Sequence, residues 1–116
     1  VISGHPAGGY AERLMDVSSR HPTTGVTEIA VRGELDMATA PLLRQAVVDA
    51  LACDGVRSLV VDLTETGFCD SSGIAVLDLG YDTAERKGVR FRITGVQPPV
   101  RRVLQIVGVL DLLTGP

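Results

Sequence analysis

Ser58-Leu59-Val60-Val61-Asp62-Leu63-Thr64, then Asp70-Ser71-Ser72-Gly73, then Ile74-Ala75-Val76-Leu77-Asp78-Leu79-Gly80-Tyr81 is the stretch that decides how this chain folds. Leu59 to Leu63 is apolar on both sides except at Asp62, the pattern of a central, covered strand. The residues from Ile74 onward can wind as a helix. The reading is strand, short loop, and a helix that opens on two adjacent hydroxyls. A helix start carries unpaired N–H groups and the positive end of the helix dipole, so it accommodates negative charge. A serine at that point can receive a phosphate without unravelling its own helix, which makes the tetrad a candidate switch.

Working outward, the second helix is predicted over Ser71 to Lys87, with Gly88 as its stop. Val89 to Thr94 alternates Val89, Phe91 and Ile93 against Arg90, Arg92 and Thr94, which predicts a strand with one wetter face. Pro98-Pro99 opens a third helix carrying Val100, Val103, Leu104 and Val107, and Gly108 closes it. Val109 to Leu113 is expected to return as a short final strand. On the N-terminal side, Thr39 is a plausible N-cap with Pro41 in the first turn, followed by Leu43, Ala46, Val47, Ala50 and Leu51 at helical spacing. Gly55 ends that helix. Glu12 to Val17 and Val26 to Arg32 are expected to be strands, joined by a loose hairpin over Ser18 to Gly25. After the opening strands the order alternates strand and helix, which favours an α/β sheet with parallel crossovers.

Size and composition bound what the chain can do. At 116 residues it is long enough for one ordinary core, expected over residues 11–116, and the Gly-rich opening makes residues 1–10 a candidate flexible tail. With 45% apolar residues spread along the length, disorder is not expected beyond the ends. Aromatics are 3% with no Trp, which argues against a stacking platform for single-stranded nucleic acid. A net charge of −3 gives no general pull toward DNA or an anionic membrane, and Arg101-Arg102 is too short to track phosphates. No apolar run approaches the ~20 residues of a membrane span, and the N-terminus does not read as a secretory signal. A cytoplasmic address is the default. Cys53 and Cys69 cannot form a metal site alone, so no metal or other cofactor is expected.

The motifs, in order, are Gly33-Glu34-Leu35-Asp36, Val60-Val61-Asp62-Leu63, Phe68-Cys69-Asp70-Ser71-Ser72-Gly73-Ile74, and Val100-Arg101-Arg102-Val103-Leu104 followed by Gly108-Val109-Leu110. With these the chain resembles a STAS domain, specifically a stand-alone bacterial anti-sigma factor antagonist, over roughly Glu12 to Leu113. The resemblance implies the STAS fold, a small mixed β-sheet with helices packed mainly on one face. It also implies a mechanism: the unphosphorylated antagonist binds an anti-sigma factor that is also a serine kinase, and this releases the sigma factor. The kinase, which binds the ATP, inactivates the antagonist by phosphorylating the first serine of the tetrad, and a phosphatase restores it. Carried across, that serine is Ser71, with Asp36 and Asp70 near it at one end of the sheet.

Each candidate has a plainer reading. Ser71 could be a helix N-cap, and Ser72 could cap the helix with its hydroxyl. On a helical wheel Ile74, Leu77, Tyr81 and Ala84 form the stripe expected to face the sheet. Ser72, Ala75, Val76 and Leu79 fall opposite, either as ordinary surface aliphatics or as part of a partner-binding surface that includes Asp36, Asp70 and Gly73. Asp36 could equally cap or bridge backbone groups in the loop before Thr39. Asp62 should be a structural residue with a hydrogen-bonding partner. Cys69 adjoins the switch, where a helix entrance lowers a thiol pKa and Asp70 opposes that. Cys53 and Cys69 lie at opposite ends of a strand, too far apart for an internal disulfide. His5 and His21 sit in the tail and a loop, with no route to Ser71. Without such a base, or a Gly-x-Ser-x-Gly elbow, Ser71 is not expected to be a nucleophile, and the chain is not expected to be an enzyme. The alternative function is a non-phosphorylated STAS interaction module of a transporter or stress-signalling complex.

Overall fold

The structure, a computed structural model, describes residues 15–115. Its elements in chain order are β1 (Met15–Thr23), β2 (Val26–Leu35), α1 (Ala40–Ala52), β3 (Ser58–Cys69), α2 (Ser71–Lys87), β4 (Arg90–Thr94), α3 (Pro98–Ile106) and α4 (Leu110–Thr114). The sheet order is β1-β2-β3-β4, with β1 antiparallel to β2 and the remaining pairs parallel. This is the expected α/β arrangement with a mixed sheet. The expected tail and residues 11–14 lie outside the described residues.

The sheet buries one face. Ile29, Val31 and Leu35 of β2, Leu59, Val61 and Leu63 of β3, and Phe91 and Ile93 of β4 meet Leu43, Val47 and Leu51 of α1 and Leu77 and Ala84 of α2. Val100 and Leu104 of α3 and Leu110 and Leu113 of α4 complete that core. The other face is half-open. Val60 and Asp62 are only partly buried there, so β3 is not covered on both sides as its composition suggested. Asp62 has its partner in Thr64, whose N–H and hydroxyl both donate to its Oδ1. An ion-pair ladder of Asp16, Arg32 and Glu65 runs across the same face.

Three boundaries differ from expectation. The first hairpin is tight: β1 continues through the supposed loop, and Thr23 pairs with Val26. β3 continues through Thr64-Glu65-Thr66-Gly67 to Cys69, leaving only Asp70 between strand and helix. Between Ala30↔Asp62 and Arg32↔Glu65, and again between Gly33↔Thr66 and Glu34↔Phe68, the pairing skips a residue on β3. These two bulges bring Cys69 level with Leu35. Thr66 is fully buried and satisfied, its hydroxyl donating to the Val31 carbonyl at 2.8 Å. Finally, Val109 to Leu113 is not a strand. Leu110 and Leu113, three apart, point into the core from one face of α4, and the Leu113 N–H donates to the Val109 carbonyl.

Candidate functional site

The ends of β2 and β3 set the frame. Leu35 and Cys69 are in register, and the Asp70 N–H donates to the Leu35 carbonyl at 3.0 Å. The next residue on each strand is an aspartate, so Asp36 and Asp70 leave neighbouring strand ends, as expected. In parallel sheets this C-terminal edge is where ligands and partners are met.

Asp70 is the N-cap of α2. Its backbone is extended (φ −103°, ψ −171°), and its Oδ1 accepts from the N–H groups of Ser72 at 2.8 Å and Gly73 at 3.4 Å. The capping expected of Ser71 or Ser72 therefore falls to Asp70, because the residue before the first helical turn is the one able to reach back onto those donors. Ser71 becomes the first helical residue and is exposed; Ser72 is half-buried. A group added to the Ser71 hydroxyl would enter the favourable field of the helix N-terminus, beside a carboxylate that has already taken two of its N–H groups.

Asp36 bridges its own loop, the plainer of its two readings. Its Oδ1 accepts from the N–H groups of Ala38 at 3.0 Å and Thr39 at 3.1 Å. Thr39, 5% exposed, makes no side-chain cap of α1. Its hydroxyl instead donates to the Glu34 carbonyl at 2.7 Å and accepts from the Asp36 N–H at 2.9 Å. This closed turn presents Met37, 78% exposed, beside Asp36.

The faces of α2 require a correction. Its buried residues are Gly73, Val76, Leu77, Gly80 and Ala84, while Ile74 and Tyr81 are only partly buried. The stripe is rotated from the expected one because two glycines sit on it, and side-chain hydrophobicity gives no sign of them. A Cβ on Gly73 would lie 2.6 Å from Leu35 Cγ and 2.7 Å from Cys69 Sγ; one on Gly80 would lie 2.8 Å from Phe91 Cε2. The helix touches the sheet at these points. Gly73 is thus beneath the surface, not on it. Val76 also leaves the exposed row: it is buried in a cleft of about 150 Å³ between α1 and α2, with Val47, Leu51 and Gly80. Ala75 and Leu79 stay exposed, Leu79 at 38%, with half-exposed Val48 on the opposite wall of that cleft. Gly88 stops the helix as expected, in the left-handed conformation (φ 71°), with the Val89 N–H returning to the Ala84 carbonyl.

Met37 was not singled out from the sequence, and Phe68, 47% exposed, was quoted only as part of its motif, with no surface role read for it. The signal was present: Met37 follows the motif residue Asp36, Phe68 lies two residues before Asp70, and both are large apolar residues that the structure leaves in solvent.

Among the described residues, the remaining side chains supply no chemistry at Ser71; His5 lies outside them. His21 lies on β1 and contacts the Thr27 hydroxyl at 3.3 Å, near the start of β2 and so at the far end of the sheet. Among the described residues no group of three or more His, Cys, Asp or Glu is placed to hold a metal ion, and no helix is long and apolar enough to cross a membrane. Burial, and secondarily the Asp70 charge, push the Cys69 thiol up to about 11, so the helix entrance does not activate it. Cys53 is exposed at the C-terminal end of α1, before β3, while Cys69 is the buried last residue of that twelve-residue strand, and both thiols are free. In native protein at pH 8, a disulfide reagent such as dithionitrobenzoate should label Cys53 within minutes and leave Cys69 untouched until denaturant is added. Equal labelling of both would show that the β3–α2 junction opens readily. The sign of the pH effect follows: between the ordinary thiol range and about pH 11 the unfolded thiol ionises and the folded one does not, so this group costs stability on the alkaline side only.

Residues 20–115 match the STAS domain family model. An anti-sigma F factor antagonist of Paenibacillus polymyxa is 30% identical over 89 residues, covering 77% of this chain and 76% of that protein. Among solved structures, an anti-sigma factor antagonist from Mycobacterium paratuberculosis aligns with a TM-score of 0.73 at 31% identity, covering 84% of this chain and 81% of that one. The anti-sigma factor antagonist SpoIIAA in its unphosphorylated form aligns with a TM-score of 0.74 at 23% identity, covering 86% of each chain, a likeness of fold.

Proposed function

The chain belongs to the STAS domain family, among the anti-sigma factor antagonists, which are regulators and not enzymes, and from that premise we propose that it acts by partner switching through Ser71. It binds an anti-sigma factor that is also a serine kinase, and so frees a sigma factor in the cytoplasm. The kinase, using its own bound ATP, phosphorylates Ser71 and ends the interaction; a phosphatase reverses the modification. The observation that carries this reading is the exposure of Ser71 at the first position of a helix already capped by Asp70. The hydroxyl is free of a capping role and can be modified without removing a helix contact.

The surface read by the partner comprises Ser71 and Ser72, the Asp36 and Asp70 carboxylates, and Ala75 and Leu79 along the outer side of α2. Gly73 and Val76 support it from beneath. Incubation with the cognate kinase and ATP, followed by mapping of the modified residue by mass spectrometry, tests the acceptor: one phosphate on Ser71, absent from Ser71→Ala, is expected. A phosphate that persists in Ser71→Ala defeats the assignment. Leu79→Asp is expected to weaken kinase binding by about tenfold or more, because it places a charge in the docked apolar contact, with little change in thermal midpoint. Unchanged affinity in that variant would remove α2's outer side from the interface.

A further inference from the structure

The cleft between α1 and α2 extends well past the serine. The two helices run in the same direction. A Cβ at Gly80 would lie 3.2 Å from Val47 Cγ1, and one turn further along α1 the Lys87 ammonium donates to the Leu51 carbonyl at 3.2 Å. The hollow between them, about 150 Å³, has aliphatic walls: Val47, Val48 and Leu51 on one side, Val76 and Leu79 on the other. Val48 and Leu79 are its exposed lips. Arg44 and Lys87 are the charged residues of the lining, and no acid joins them. Both are exposed, and neither forms an ion pair among the described residues. The bond from Lys87 to a carbonyl fixes the ammonium in place and leaves its charge uncompensated. Arg44 and Leu51 are seven residues apart on α1, about 10.5 Å along its axis, so one cation stands toward each end of the cleft.

We propose that this cleft receives an amphipathic helix of a partner protein, with an apolar side chain seated between Val48 and Leu79 and two acids facing Arg44 and Lys87. The size of the hollow sets the first limit. It is well below the roughly 300–1,000 Å³ of a small-molecule site, and it has room for a single aliphatic chain or ring. The spacing of the cations sets the second. Residues seven apart on a helix share a face and lie about 10.5 Å apart, and the residues between them on that face reach the hollow. An extended peptide covers that distance in about three residues, which would put its two acids on opposite faces. Leu79 is the one exposed residue shared with the surface proposed for the kinase, and the site does not depend on the state of Ser71.

The test uses the full chain, ¹⁵N-labelled, titrated with an acetylated peptide bearing Glu-Ala-Ala-Leu-Leu-Ala-Ala-Glu and held helical by a lactam bridge on its far face. Two counterparts carry lysine in place of both glutamates, or alanine in place of both leucines. Saturable amide shifts at Val47, Val48, Leu79, Gly80 and Thr83 are expected with the first peptide alone. Binding should weaken by about tenfold or more in the Arg44→Glu, Lys87→Glu double variant and in Val48→Lys, whose altered side chains are all exposed. Ser71→Glu should bind the peptide within about threefold of the parent, so that failure of this site and failure of the serine switch are read separately. No saturable shift at millimolar peptide overturns the proposal. So do equal binding of either counterpart, shifts mapping to another surface, decanoate seated in the cleft where the peptide is not, or shifts at these residues on concentrating the chain alone, which would mark a second copy as the occupant.

Discussion

Ser71→Glu should weaken binding to the anti-sigma factor kinase by roughly thirtyfold, about 2 kcal/mol, while Ser71→Ala stays within about threefold of the unmodified chain. The two substitutions differ in charge, and that difference is the point. A phosphate adds about −1.5 to −2 charges, and glutamate reproduces roughly half of that. Within α2 the added charge is tolerable, since a helix N-terminus favours an anion by about 0.3–1 kcal/mol and Asp70 offsets part of the gain. In a docked interface the same charge must lose its water beside two aspartates, Asp36 and Asp70, with no cation of this chain bonded to either carboxylate among the described residues. Binding and stability should therefore move separately, with the thermal midpoint of Ser71→Glu within about 3 °C of the parent. Titration calorimetry against the kinase, with a parallel thermal melt, reads both. Tight binding by Ser71→Glu would place the serine outside the interface.

Gly73→Val should destabilise the fold by about 3 kcal/mol, near the top of the range for overpacking a core, and Gly73→Ala by about 1. The first added carbon already meets Leu35 and Cys69 at under 3 Å, and both are buried at the ends of adjacent strands. Alanine recovers up to ~1 kcal/mol through helix propensity, which valine recovers only in part. Ala75→Val, on the exposed side two residues on, is the control and should cost about 0.5 kcal/mol. Urea unfolding of the three variants gives the comparison. A Gly73→Val cost equal to that of Ala75→Val would mean that Leu35 and Cys69 move aside freely.

The helix from Ser71 to Lys87 and its stop at Gly88 were legible because each is set by local chemistry, short polar residues before a helical run, apolar spacing and a glycine after it, although the cap itself is Asp70 and not a serine. The neighbourhood of Asp36 and Asp70 was legible only through the family resemblance, since it depends on how two strands align. What stayed hidden is tertiary. The polar run Thr64-Glu65-Thr66-Gly67 reads as a turn, and only pairing with β2, with two bulges, makes it strand. Ser18 to Thr23 likewise gains its extended form from β2. Five residues at Val109 to Leu113 are too few for period two and period 3.6 to be told apart, and the core decided for helix. Val76 was assigned to the wrong side because the glycines that anchor α2 carry no hydrophobic signal.

The hydrogen bond from Asp70 to Leu35 has a consequence for when the switch exists at all. It joins the ends of two parallel strands that can pair only after the whole of α1 has crossed between them. Non-local pairing of this kind is formed late, against loop-closure entropy. A nascent or misfolded chain therefore presents Ser71 without its frame, and under the proposed function the kinase should modify only molecules that have finished folding.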